Sequence, residues 1–132
     1  MNADEFVRTA RGYLGVPYRH QGRDRSGLDC GGLWICACRD MGLNIDNDLI
    51  NYPTFPNFVD IASVIEAYAD RIQFQQIQPG DVVLLRIAGR PQHFAIVTDM
   101  GLLHVNQIDG RVVEHAFDKK WQRRYKQGYR FR

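Results

Sequence analysis

Apolar and polar positions alternate with two different periods along this chain, and the change falls near its middle. In the first half apolar residues recur every three to four positions, the helical period. Residues 2–14 read as an amphipathic helix: Asn2 is placed to cap it, Asp4 and Glu5 suit its first turn, and Phe6, Ala10, Tyr13 and Leu14 share a face. Gly15 and Pro17 end it. A loop rich in glycine and charge follows over residues 16–29, long enough to suggest a functional role. Residues 30–41 read as a second helix, with Leu33, Trp34, Ala37 and Met41 near helical spacing and Gly42 as its stop. Residues 43–56, with Pro53 and Pro56, read as irregular. Residues 57–71 read as a third helix turning Val59, Ala62, Ile65 and either Tyr68 or Ala69 inward.

Past Pro79-Gly80-Asp81 the period shortens. Val82 to Ile87 reads as a strand buried on both faces, from the apolar run that opens it. Turns at residues 88–91, 99–101 and 109–110 separate strands at 93–98, 102–106 and 111–116. A short helix over 117–124 and a last strand over 129–131 complete the pattern. Helices first and an antiparallel meander second predict an α+β fold in a single domain, residues 1–132.

Composition adds little beyond a soluble globular class. Apolar residues make up 45% of the 132 and charged residues 24%, and the net charge of +2 is too mild to argue for nucleic acid. The basic cluster Lys119, Lys120, Arg123, Arg124, Lys126, Arg130 and Arg132 alternates with Trp121, Tyr125, Tyr129 and Phe131. It reads as a solvated basic face whose aromatics pack inward. No apolar run approaches the length of a membrane span, and Met1-Asn2-Ala3-Asp4-Glu5 is no signal segment. Synthesis in the cytoplasm without membrane insertion is therefore expected. Cys30, Cys36 and Cys38 are too close together for a disulfide framework. Cys36 and Cys38 point about 200° apart on a helix, which does not suit a metal site, and they read as apolar fillers.

Candidate chemistry centres on Gly27-Leu28-Asp29-Cys30-Gly31-Gly32-Leu33-Trp34. Cys30 falls where a loop enters a helix, and the positive end of the helix dipole favours thiolate over thiol. A cysteine hydrolase also needs an imidazole to hold and shuttle the proton, and a polar group to orient that imidazole. His93 opens a strand directly after a turn, and His104 lies on the next strand of the same hairpin, within a residue or two of facing it. Cys30, His93 and His104 are thus the candidate nucleophile, base and orienter. His20 in the loop has nothing to fix it as a base, and His115 reads as a surface residue. Tyr18 reads equally as a packed loop aromatic, and Asp29 as a helix cap.

The segments Gly15-Val16-Pro17-Tyr18, Gly27 to Leu33, Gln78-Pro79-Gly80-Asp81-Val82-Val83, His93-Phe94-Ala95-Ile96-Val97 and Leu102-Leu103-His104-Val105-Asn106 follow the order found in the NlpC/P60 cysteine peptidases, which the chain resembles over residues 5–132. The resemblance implies a papain-like fold with the nucleophile helix packed on an antiparallel sheet. It implies cleavage of peptidoglycan stem peptides, typically between D-γ-glutamate and a diamino acid, with no cofactor and no metal. By motif position Cys30, His93 and His104 are the catalytic residues, and Tyr18, Asp29 and Gly31 line the substrate cleft. Gly31 departs from the serine usual after the family's cysteine, which bears on substrate preference. The loop Pro17 to Arg23, and Val112-Val113-Glu114-His115 with Trp121, are most similar to the branch found in phage tails and gene transfer agents. That implies incorporation into a virion or tail-like particle, with other tail-tip proteins as partners. The alternative is a tail-tip assembly protein whose site is weak or silent. A related amidase or acyltransferase would differ only in acceptor.

Overall fold

A computed structural model of the chain describes residues 2–43, 45, 63–87 and 90–132. Helix α1 spans Ala3–Arg11; Asn2 caps it by accepting from the Glu5 N–H at 3.0 Å. It is shorter than the 2–14 expected. Residues 12–15 form turns, and Leu14 points out to solvent while Phe6, Ala10 and Tyr13 are buried. Gly15 ends this segment in the left-handed region, φ 86°, where glycine is favoured.

The loop that follows carries two short paired strands, β1 (Arg23–Asp24) and β2 (Gly27–Leu28). It is tied to the rest of the molecule by the Tyr18 N–H to Gly110 O bond at 2.9 Å and closed on itself by the Leu28 N–H to Pro17 O bond at 2.9 Å. Helix α2 spans Cys30–Asp40, within one residue of expectation. Every residue from Gly31 to Cys38 is buried, so α2 is a core helix with no polar face, covered by α1 and the sheet.

The third predicted helix divides. Residues 57–62 lie outside the described residues, as does most of the irregular stretch 43–56; residues 63–66 are helical, with Val64 and Ile65 buried. From residue 69 the chain is extended: β3 covers Ala69–Ile72, so the expectation of helix to 71 fails there. The segment's polar residues, Asp70 and Arg71, are exposed on an edge strand, a pattern that helix periodicity does not distinguish.

Strands β4 (Val82–Ile87), β5 (Arg90–Thr98), β6 (Gly101–Val105) and β7 (Val112–His115) form the antiparallel meander. After the four-residue helix α3 (Lys119–Gln122) comes β8 (Tyr125–Phe131), seven residues long against the 129–131 expected. It inserts between β3 and β4, giving a six-stranded sheet in the order β3-β8-β4-β5-β6-β7. Tyr129 is buried, and Phe131 stacks on Trp34 at 5.7 Å. Arg130 donates to the buried Asp81 carboxylate at 3.0 Å, and Arg132 reaches Asp70. The basic cluster therefore packs its aromatics inward, as its alternation predicts.

Both faces of the sheet are covered. Val82, Leu84, Phe94, Ile96, Leu103 and Val105 pack with α1 and α2; Val83, Leu85, Ala95, Val97 and Leu102 pack under Phe117, Trp121 and Tyr125. Of the strand expected to be buried on both faces, Val82–Leu85 is, whereas Arg86 is exposed and Ile87 only half-buried, because the charged Arg86 breaks the apolar run.

Candidate active site

Asp29 organises the nucleophile's side of the site. It lies in extended backbone just before α2, and its Oδ1 accepts from the Gly32 N–H at 2.7 Å, closing the first turn. The same carboxylate accepts from the Gln21 N–H at 2.8 Å and from Arg23 at 3.0 Å. One 3%-exposed side chain thus caps the helix and clamps the loop. The clamp also needs glycine: a Cβ on Gly32 would collide with the Gly22 carbonyl. The cap reading of Asp29 holds; its carboxylate oxygens are engaged by protein.

Cys30, the first residue of α2, is half-buried and reduced. Its sulfur lies near the backbone N–H groups of Phe94, next to His93 on β5, and of Gly31, and both favour its charged form. The thiolate expected at this helix end is opposed by its surroundings. Burial pushes the Cys30 thiol up to about 12, the Asp29 carboxylate pushes the same way, and those two N–H groups with Arg23 only partly oppose them. Helix-end stabilisation is weak here because the capping carboxylate already occupies that positive end.

On the other side of the site the imidazoles are set by strand register. Leu85 pairs with His93 and Arg86 with Pro91, so Gln92 forms a β-bulge immediately before His93, a device that re-aims neighbouring side chains. His93, Ala95 and Val97 alternate onto the face covered by Trp121, and so do Leu102 and His104. Nε2 of His93 lies 2.6 Å from Nδ1 of His104. Both rings are buried, 5% and 0% exposed. Burial holds His93 down at about 4, with Arg124 and His115 adding to the effect, and burial holds His104 lower still. Both rings therefore rest neutral near pH 7.

A third ring joins them. His115, half-exposed on the edge strand β7, places its Nε2 2.6 Å from Nε2 of His104, a contact that its reading as a surface residue did not foresee. Trp121 covers the pair, its ring centre 4.8 Å from that of His104 and 5.0 Å from that of His115, and the Arg124 guanidinium lies 4.6 Å above Trp121. A sequence signal existed: the interval from His93 to His104 is eleven, and so is that from His104 to His115. Across two tight antiparallel hairpins, equal odd intervals keep side chains on one face and step them diagonally from strand to strand.

Tyr18 is half-buried against the helical core, and its hydroxyl accepts from Gln107 at 3.2 Å. Gly31 is buried within α2, next in the chain to Cys30. His20 lies on the loop, and Cys36 and Cys38 are buried fillers. Among the described residues, no helix is long and apolar enough to cross a membrane.

Comparison with known proteins agrees with this architecture. No curated protein sequence matches the chain. Its fold is similar to that of the NlpC/p60 domain of the peptidoglycan hydrolase SagA, with 23% identity, a TM-score of 0.73, and coverage of 99% of this chain and 100% of that one. It is similar to an NlpC/P60 family protein from Bacillus cereus, with 19% identity and a TM-score of 0.75 over 99% of this chain and 40% of that one. It is also similar to the peptidoglycan hydrolase RipB from Mycobacterium tuberculosis, with 21% identity and a TM-score of 0.67 over 98% of this chain and 63% of that one. This chain thus spans less than two thirds of the length of the last two. The sequence model of the NlpC/P60 family matches residues 15–130, from the turn after α1 through β8, and the chain belongs to the NlpC/P60 family.

Proposed function

We propose that this chain is a cysteine peptidase of the bacterial cell wall, cutting peptidoglycan stem peptides at the bond between D-γ-glutamate and a diamino acid. The observation that carries the reading is a buried pair, His93 and His104, on the strands of one hairpin, their ring nitrogens 2.6 Å apart, with the Cys30 sulfur near the backbone N–H of Phe94, the residue after His93. A nucleophile, a base and an orienter are the three functions that acyl transfer to sulfur requires.

With Nε2 of His93 engaged by His104, Nδ1 is the nitrogen left for the thiol. A neutral resting pair means that proton transfer accompanies attack. His93 takes the Cys30 proton as sulfur adds to the carbonyl, and the N–H of Cys30 at the start of α2 meets the oxyanion. His93 then gives that proton to the departing amine, which leaves a thioester on Cys30. Water, deprotonated by His93, hydrolyses it and restores the thiol. In this reading Tyr18, Asp29 and Gly31 line the substrate cleft; the half-buried ring of Tyr18 supports its part in it. Assayed on purified peptidoglycan or a γ-D-Glu–diaminopimelate peptide, Cys30→Ala is expected to be inactive; parental activity would end the proposal.

The raised thiol favours one second reading, an assembly component of a tail tip whose site is weak in the free chain. The motif residues Pro17 to Arg23, and His115 with Trp121, support the same tail-particle setting for an active enzyme. Detection of the chain in purified particles, with lysis lost on Cys30→Ala in the particle, supports an enzyme of the tail; full lysis by that mutant particle supports the assembly role.

A further inference from the structure

His115 has a chemical consequence that reaches the base two strands away. Its Nδ1 lies 2.9 Å from the carbonyl oxygen of Ala116. A carbonyl oxygen only accepts, so Nδ1 of His115 carries the hydrogen, and its Nε2, in the neutral ring, is an acceptor. Nε2 of His104, 2.6 Å away, must then be the donor, which leaves Nδ1 of His104 as an acceptor. Nε2 of His93, 2.6 Å from that nitrogen, must donate in turn. Nδ1 of His93 is left bare. A chain running the other way would make the Ala116 oxygen a donor or place an extra proton among the buried rings. It would also put a hydrogen on Nδ1 of His93, where the thiol needs a base.

We infer that His115 is a positioning residue which, anchored on the Ala116 carbonyl, fixes the tautomers of His104 and His93 and so presents an unprotonated Nδ1 of His93 to Cys30. Its catalytic consequence rests on the peptidase reading above; the tautomer pattern does not. Charged groups acting on the relay are Arg124, on both His93 and His104, and Asp109, on His104. Arg124 disfavours an extra proton on these rings, which keeps the relay in its neutral form.

The pattern is read directly by histidine 15N chemical shifts in the folded protein at neutral pH, with resonances assigned by His93→Gln, His104→Gln and His115→Gln. The expected result is His93 and His104 in the Nε2–H form and His115 in the Nδ1–H form. His104 in the Nδ1–H form overturns the inference whatever the activity. Two variants add a kinetic reading. His115→Gln retains an oxygen near the Nε2 position to accept from His104 and should keep kcat within about threefold, whereas His115→Phe offers no acceptor and should lower kcat roughly 10- to 100-fold with KM little changed. His115→Phe with parental kcat and an unaltered His104 tautomer also overturns it. The expected tautomers together with full activity of Cys30→Ala would instead remove the peptidase reading and leave the relay standing.

Discussion

Cys30 and His93, the proposed nucleophile and base, are positioned by opposite means. The thiol's position depends on one side chain: Asp29 closes the α2 turn through Gly32, holds the loop through Gln21 and Arg23, and sits beside the sulfur whose ionisation it opposes. The imidazole's position depends on no single contact. It follows from register across β4, β5, β6 and β7, a bulge at Gln92, and a Trp121 cover, each reinforced by apolar packing beneath. A hub concentrates both structure and electrostatics in one residue, so changing it disturbs both together. A register spreads placement over many residues, so a side chain can be exchanged there and the scaffold persists.

His93→Gln exploits that difference most strongly. The strand should hold, with an unfolding temperature within a few degrees of the parent, while kcat falls by about 10²–10⁴ through loss of the base. A large fall in unfolding temperature would contradict a site held by register. Asp29→Ala should do the reverse. Loss of the cap and of the partner of Arg23 is expected to remove about 2–4 kcal/mol of stability in denaturant unfolding, with activity falling alongside. Asp29→Asn sharpens the point. It keeps a capping oxygen and removes the charge, so alkylation of Cys30 should reach half-maximal rate at lower pH than in the parent.

Acidity separates the regions again. His93 titrates near 6.5 in an unfolded chain and at about 4 when folded. Between those values the unfolded chain binds a proton that the buried ring refuses, so stability is complete above about pH 6.5 and declines as pH falls toward 4. The His93 contribution is about 3 kcal/mol, read as the difference between parent and His93→Gln in denaturant unfolding across that range. Equal pH slopes for the two proteins would refute a buried neutral ring. The smallest effect concerns the thiols. Cys30 is half-buried while Cys36 and Cys38 are 3% and 0% exposed, so iodoacetamide should modify Cys30 first. With the thiol raised by burial, the rate should climb steadily from pH 6 to 9 without a plateau; a plateau would reveal a resting thiolate.

The sequence was most legible where one local rule determined the outcome. Asp29 before an apolar helix reads as a cap, the run Val82 to Leu85 as a strand with two covered faces, and the Asp99-Met100-Gly101 turn as the centre of the hairpin joining His93 to His104. It was less legible where tertiary contacts decide. Ala69–Ile72 and Tyr125–Phe131 become strands because they pair with each other across the sheet, and neither Asp70-Arg71 nor Lys126-Gln127-Gly128 shows strand alternation alone. The electrostatics of the thiol were hidden for a related reason. A helix N-terminus was visible in the sequence, but burial and the adjoining carboxylate, which outweigh it, become visible only in three dimensions. The contact of His115 with His104 was missed because one histidine at a strand end carries no signal; the repeated interval of eleven does.

The transfer of the Cys30 proton to His93 during acylation is tested most directly by acid quenching the enzyme with a stem peptide at short times and weighing the tryptic fragment that contains Cys30. The parent should show the acyl adduct on that fragment, and His93→Gln should form it at least about 100-fold more slowly. An adduct that appears at the parental rate without His93, or product released with Cys30 never acylated, would contradict the account.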